Sequence, residues 1–357
     1  MKKMILNILL GVLIFLLAVV IVWALISSGK IREYTDEDSI SDKFVMEING
    51  ANQGFFINGR DIDNPILLLI SSGPGTDDYF LTERFDDMHL DDIFTVVYWD
   101  YRGMGIAYDS DIDPASITTE VLIEDTRAVT DYLKKRFERE KIYVMGFSGG
   151  THIGLMAAEK YPEDYYAYIG MAQVVTDSTE RDKLMYEFMK DEFTRRGDKS
   201  RLKKLDELVT FEGDEMHCKD WYDFVYLLHE AGGGTTHNET ELTGITIPII
   251  MSHCYTISEK IKFIRGMKMY RTTTLDSELE NFDYREDKTE FEIPIFFLSG
   301  EYDYNCPWPL VEGYCDKITA PDKGFYLIKD AAHSPLWENA NDSFEAMREI
   351  LEKTYER

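Results

Sequence analysis

The stretch KIYVMGFSGGTHIGL, residues 141–155, is a short apolar β-type run that breaks at Gly146-Phe147-Ser148-Gly149-Gly150 and continues as the start of a helix. A serine flanked by glycines two positions away on each side fits a nucleophile elbow. There the serine sits on a strained strand-to-helix turn with its hydroxyl exposed, and only glycines let the neighbouring backbones pass so closely. The helix that follows points its unpaired N–H groups, beginning with that of Gly149, at any oxyanion formed when Ser148 attacks a carbonyl. The context is the required one: residues 142–145 are apolar and mostly β-prone, and 151–160 reads as a helix.

Working outward, residues 44–48 and 54–58 read as a strand hairpin joined by Asn49-Gly50-Ala51-Asn52. Residues 66–70 and 94–99 are continuous apolar runs suited to buried parallel strands. A helix over 118–137, with Val121, Leu122, Val129 and Leu133 on one face, supplies the crossover to the elbow strand, and 166–174 is a further strand. Strand and helix alternate again at the carboxyl end: strands over 294–298 and 324–328, helices over 308–315 and 341–354. This alternation predicts a mostly parallel sheet with helices on both faces. Residues 175–291 break the rhythm, being charged and helical (179–196, 199–209, 219–231, 258–270), and read as an inserted helical cap over the serine. The expected organisation is thus an amino-terminal anchor over 1–30, a core in two parts over 31–174 and 292–357, and the cap between them.

Residues 4–26 are uncharged with one polar side chain, Asn7, and follow Lys2 and Lys3. A run of that length suffices for a transmembrane helix, and no small-x-small cleavage site follows it. The expectation is a single-pass cell-membrane protein, held in the lipid bilayer through residues 4–26, with the lysines inside and the catalytic domain outside. The net charge of −28 makes a surface that repels nucleic acid, so that class of partner is excluded. Cys218, Cys254, Cys306 and Cys315 allow two disulfides or four thiols, and none has the CxxC spacing of a metal site. No metal site is expected.

A nucleophilic serine needs a base, and the base an orienting carboxylate, each on a loop after a late strand. Asp303 follows the strand over 294–298 in Gly300-Glu301-Tyr302-Asp303-Tyr304-Asn305-Cys306-Pro307, and His333 follows the last strand in Ala331-Ala332-His333-Ser334-Pro335. Ser148, Asp303 and His333 are therefore the candidate triad, with Glu301 as reserve acid. Gly149 and Gly73, the latter in the Ser71-Ser72-Gly73-Pro74-Gly75 loop after the first buried strand, are the candidate oxyanion donors.

The motifs SSGPG, DYRGMG, GFSGG, GEYDYNCP and AHSP, followed by Glu338 in a closing helix, resemble the proline iminopeptidase branch of the α/β-hydrolase superfamily. The resemblance implies an α/β-hydrolase core with a cap, a Ser148/Asp303/His333 triad, and cleavage of amides or esters of small molecules or short peptides without a cofactor. This chain has Ser71 and Ser72 where the family carries His and Gly, and Gly149 where it carries Trp. An aminopeptidase of this kind also needs a cap carboxylate for the substrate ammonium, and Asp220, Asp223 and Glu230 stand on an aromatic helix without any one being singled out. The expectation is a serine hydrolase of aminopeptidase type; an esterase or thioesterase on small acyl substrates is the alternative, and a catalytically silent binding module the third.

Overall fold

The computed structural model describes the chain except residues 1, 74–77, 86–88, 241, 279, 281 and 356–357, together with the side chains of 2–4, 6, 15, 16, 18, 19 and 276. Along the core, in chain order, lie α1 (Lys2–Ile26), β1 (Ile40–Ile48), β2 (Ala51–Gly59), β3 (Ile66–Ile70), α2 (Phe80–Arg84), β4 (Thr95–Asp100), α3 (Thr119–Arg136), β5 (Ile142–Phe147), α4 (Gly150–Lys160) and β6 (Tyr165–Met171). The segment 175–291 holds α5 (Thr179–Arg196), α6 (Lys199–Leu208), β7 (Val209–Glu212), β8 (Glu215–Cys218), α7 (Trp221–Ala231), α8 (Ile247–Met251), α9 (Ile257–Tyr270), α10 (Leu275–Glu278) and α11 (Tyr284–Asp287). The chain closes with β9 (Ile295–Gly300), α12 (Trp308–Lys317), β10 (Lys323–Ile328), α13 (Pro335–Glu338) and α14 (Ala340–Thr354).

Among the described residues, eight strands form one sheet in the order β1-β2-β4-β3-β5-β6-β9-β10. β2 runs antiparallel to β1 and β4, and the remaining pairs are parallel. The hairpin turn is tighter than the four residues expected, because Ile48 pairs with Ala51. Asn49 and Gly50 both have positive φ, 52° and 69°, the conformation a two-residue hairpin loop demands and that Asn-Gly tolerates.

Side chains alternate across the strands and build two separate cores. On one face Leu68, Val97, Val144 and Phe297 pack beneath α3, α4 and α12 through Val129, Leu155 and Val311. On the other, Leu67, Tyr98, Met145 and Leu298 pack against α2, α13 and α14 through Phe80, Trp337 and Met347. Parallel strands buried on both faces carry near-continuous apolar sequence, which is why ILLLI and TVVYW are legible as strands. At the end of β4 the chain turns back so sharply that the Asp100 carboxylate accepts the Ile106 N–H at 2.8 Å. Gly105, with φ +46°, leaves no room for a Cβ against that carboxylate.

The segment 175–291 is not one helical cap but two parts. In the first, α5, α6 and α7 enclose a core of their own around Met189, Phe193, Leu205, Phe224 and Leu228. They also carry the antiparallel β7–β8 hairpin, which the sequence reading assigned no strand. In the second, α9 lies against the loop after β4, where the Tyr270 hydroxyl donates to the Arg102 carbonyl at 2.6 Å, and Tyr255 is buried in the core, its ring edge-on to Phe56. Among the described residues there is no disulfide, so the cysteines are thiols.

The membrane expectation requires correction. A helix does form over Lys2–Ile26, but among the described residues no helix is long and apolar enough to cross a membrane. Its carboxyl end is engaged by protein: the Trp23 indole N–H donates to the Ile250 carbonyl at 2.8 Å. The buried Lys260 ammonium reaches the Ser27 hydroxyl at 2.8 Å and lies 5.7 Å from the Trp23 ring. Neither a single-pass cell-membrane location with an outward catalytic domain nor a bilayer partner through residues 4–26 stands.

Candidate active site

β5 delivers the chain to Ser148, whose φ of +50° is the left-handed conformation that a β-carbon normally resists. Three contacts hold it there. The Ser148 N–H donates to the Met171 carbonyl at 2.9 Å, and the Thr151 N–H returns to the Ser148 carbonyl at 2.9 Å; the Thr151 hydroxyl also donates to that carbonyl. The two glycines are sterically required. A β-carbon on Gly146 would come within 2.6 Å of the Thr151 Cα, and one on Gly150 within 2.4 Å of the Ile70 carbonyl oxygen.

The structure brings the three predicted side chains into one line. The Ser148 Oγ lies 2.8 Å from His333 Nε2, and His333 Nδ1 lies 3.0 and 3.1 Å from the two Asp303 carboxylate oxygens. With the Nδ1–H directed at that carboxylate, Nε2 is left to accept from the serine. Asp303 is wholly buried and His333 is 5% exposed. The Cys306 N–H donates to Asp303 Oδ1 at 2.9 Å and fixes the carboxylate plane. The reserve acid Glu301 lies elsewhere: it is exposed and accepts the Asp330 N–H at 3.4 Å. The sequence reading missed Asn305, whose side-chain amide stands 3.3 Å from His333 Nε2.

The two predicted oxyanion donors do not converge. The Gly149 N–H donates to the Ser72 carbonyl at 2.6 Å. That carbonyl belongs to the same trans peptide as the Gly73 N–H, so the two groups point in opposite directions. The Gly73 carbonyl in turn accepts from the Tyr101 hydroxyl at 3.1 Å. Ser72 is clasped through its N–H and its hydroxyl by Asp78, at 2.6 and 2.7 Å. Ser71 donates its hydroxyl to the Trp99 carbonyl at 3.2 Å. Pro74 and Gly75 lie outside the described residues.

A strap that follows α7 holds the histidine loop. The Gly233 carbonyl accepts the Tyr304 N–H and the Gly234 carbonyl accepts the His333 N–H, each at 3.2 Å. Glu338 closes the strap, accepting from the His237 N–H at 2.5 Å and the Ala332 N–H at 2.8 Å. The only sequence signal for it is the run Gly232-Gly233-Gly234. A β-carbon on Gly233 would meet the Phe188 ring and one on Gly234 the His229 ring, both at 2.4 Å.

Burial outweighs these N–H donors and pushes the Glu338 carboxyl from its ordinary 4.5 up to about 7. An acid whose folded value is raised stabilises the fold fully below the unfolded value, and that contribution fades as pH rises through the folded one. The wild type is therefore expected to lose about 3 kcal/mol relative to Glu338→Gln between pH 4.5 and 8. Urea unfolding of both proteins across that range is the check, and a pH-independent difference would refute the assignment.

A cavity of about 450 Å³ opens above the serine, with Ser148, Gly149 and Asn305 on the core side and Arg181 and Trp221 from α5 and α7 opposite. The Arg181 guanidinium lies 5.1 Å from the Trp221 ring and pairs with Asp182 at 2.8 Å and Asp177 at 3.2 Å. The cap carboxylates named from sequence are otherwise occupied. Asp220 caps α7 by accepting the Asp223 N–H, Asp223 faces Lys204 at 3.3 Å, and Glu230 pairs with Arg201 at 2.6 Å. Among the described residues no group of three or more His, Cys, Asp or Glu side chains is placed to hold a metal ion.

The strand order, the elbow and the position of the acid and histidine loops define the class: the chain is an α/β-hydrolase and a hydrolytic enzyme. Within that class it is similar to prolyl aminopeptidases. The family model for serine aminopeptidases, S33, matches residues 68–211. The chain is 27% identical over 302 residues to the probable aminopeptidase YbaC of Bacillus subtilis (strain 168), covering 84% of this chain and 93% of that one. Human serine hydrolase BPHL is 30% identical over 181 residues, 50% of this chain and 58% of its own length. Among solved structures, the proline iminopeptidase-related protein of Thermus thermophilus superposes with a TM-score of 0.56 at 18% identity, over 88% of this chain and 98% of that chain. Proline iminopeptidase of Mycobacterium smegmatis gives 0.57 at 13%, with the same coverage.

Proposed function

We propose that this enzyme cleaves amide or ester bonds of small molecules or short peptides through Ser148, His333 and Asp303, with aminopeptidase-type substrates first. The observation that carries this reading is the 2.8 Å contact of the Ser148 Oγ with His333 Nε2 on a positive-φ elbow. His333 takes the serine proton as the Oγ attacks the carbonyl, Asp303 holds the imidazole and offsets its developing charge, and the same proton then goes to the leaving group. Water, deprotonated by His333, releases the acyl group. The family resemblance and the aminopeptidase relative support the amide preference.

Residues 31–174 and 292–357 form the catalytic core in this reading, and 175–291 the cap. Stabilisation of the tetrahedral oxyanion by Gly149 and Gly73 requires the Ser72–Gly73 peptide to turn over when substrate arrives. One rotation then releases the Gly149 N–H and brings the Gly73 N–H round to the same side, a movement glycine at 73 permits.

One observation favours the esterase reading: among the described residues that line the serine cavity there is no Asp or Glu side chain to hold a substrate ammonium. The test is hydrolysis by the full chain of prolyl and alanyl amides beside short-chain acyl esters, with Ser148→Ala as the blank, and fluorophosphonate labelling in parallel. Amide turnover that needs a free amino group establishes the aminopeptidase reading; ester turnover alone selects the alternative. A Ser148 that neither labels nor turns over any substrate would leave a binding module.

A further inference from the structure

The serine cavity does not end at the serine. A second cavity of about 530 Å³ adjoins it, and Gly149, Val174, Arg181 and Trp221 line both. Gly149, one of these four, follows the nucleophile directly and contributes no side chain, so the two spaces meet beside the reacting centre.

The walls of the second cavity are sorted by depth. Its buried floor is Tyr101, Leu122, Ile153 and Leu275, with the half-buried Phe282 beside them. Among buried floor residues only His152 carries a titratable ring nitrogen. Its Nδ1 lies 2.6 Å from the Tyr284 hydroxyl, and the Phe282 ring packs edge-on against it at 4.8 Å. Burial holds this imidazole down at about 4, so the floor is uncharged near neutrality. The acidic members, Asp177 and Glu280, are exposed, and the half-buried Arg181 lies beside the 40%-exposed Trp221.

An uncharged floor with a charged, water-facing rim suits a group that is apolar along its length. We infer that this second cavity is the acyl subsite of the enzyme, taking a straight aliphatic or aryl-alkyl acyl group of medium length whose carbonyl is held at Ser148. The inference rests on the proposed serine-hydrolase reading and adds the class of acyl group to it. By continuity the occupant is joined to the carbonyl that Ser148 attacks, and esters that share one leaving group report on its acyl side alone.

The experiment uses the full chain and p-nitrophenyl esters of one leaving group, acetyl, butyryl, hexanoyl and octanoyl. Each methylene transferred from water to such a floor is worth up to about fourfold in binding. From acetyl to octanoyl kcat/KM is therefore expected to rise at least about thirtyfold, allowing for incomplete burial. Leu275→Trp, which fills the floor, is expected to lower the octanoyl-to-acetyl ratio of kcat/KM at least about tenfold. Phe282→Ala, which widens the floor, is expected to move the optimum to a longer chain, and it serves if Leu275→Trp does not fold. A flat or falling chain-length profile in the wild type overturns the inference, as does a Leu275→Trp variant that slows acetyl and octanoyl esters alike.

Ethyl and decyl fluorophosphonates separate this failure from failure of the underlying reading. Labelling of Ser148 by both at equal rates removes the subsite and keeps the serine hydrolase. Absence of labelling by either removes both. Faster labelling by the decyl reagent supports the subsite independently of turnover.

Discussion

Asp303→Asn is expected to lower kcat about 10⁴-fold with little change in folding, an effect of the size seen when the orienting carboxylate of a serine triad becomes an amide. The geometry says why the isosteric change is so costly. Asp303 Oδ1 accepts the Cys306 N–H at 2.9 Å, so an asparagine keeps its carbonyl oxygen on that donor and turns its NH₂ toward His333 Nδ1. Two donors cannot share that contact, and the imidazole shifts its proton to Nε2. Nε2 then faces the Ser148 hydroxyl, 2.8 Å away, as a donor and cannot take its proton. Steady-state kinetics on whichever substrate of the panel turns over fastest, alongside thermal unfolding, provides the measurement. A loss below about tenfold in a folded variant would mean that Asp303 does not orient the base. Glu301 could not simply replace it, because its carboxylate is exposed and turned to the Asp330 N–H.

The features legible in the sequence are those written locally. The elbow glycines are excluded from any other residue type by backbone atoms within 2.6 Å, and ILLLI is a strand because both of its faces are buried. The helix over 179–196 is bounded by Ser178 and Gly197, and the structure ends α5 at Arg196 with Gly197 at φ +68°. Features made by distant backbone were not legible. The β7–β8 hairpin, VTFE and EMHC, consists of four-residue strands with three exposed positions in the first. Such strands carry too little alternation to stand out from a charged segment.

The turn of the Ser72 carbonyl toward Gly149 depends on one peptide orientation, which no residue type encodes. The strap at 232–237 works through main-chain carbonyls, so only its glycines could hint at it. At the amino end the opposite holds: composition predicts a membrane span, and among the described residues no helix is long and apolar enough to cross a membrane. Hydropathy counts residues, whereas Trp23, Ser27 and Lys260 show protein contacts that a residue count cannot contain.

Arg102→Ala is expected to destabilise the fold by about 3–5 kcal/mol, more than any surface ion pair in the chain would. Arg102 is 8% exposed and grips the wholly buried Asp125 in a two-point contact, Nε to Oδ2 at 2.5 Å and Nη2 to Oδ1 at 2.7 Å. The same carboxylate accepts from the Gln53 amide at 2.9 Å and the Asn49 amide at 3.1 Å, and Gln53 in turn accepts the Trp99 indole N–H at 3.0 Å. Removing the guanidinium leaves a buried carboxylate facing two neutral donors, and its desolvation is no longer offset. Because most of that cost is an orphaned charge, the double change Arg102→Met with Asp125→Leu is expected to recover the larger part of the loss. Urea midpoints at constant slope for the wild type, the single variant and the double variant measure both quantities. A double variant no more stable than Arg102→Ala would show that the pair contributes by geometry and not by mutual neutralisation. The network also ends at the active site. Tyr101, next to Arg102, donates to the Gly73 carbonyl, and Tyr270 of α9 donates to the carbonyl of Arg102 itself. The single variant is therefore expected to loosen the Ser72–Gly73 loop as well, and to lose activity at urea concentrations below its unfolding midpoint.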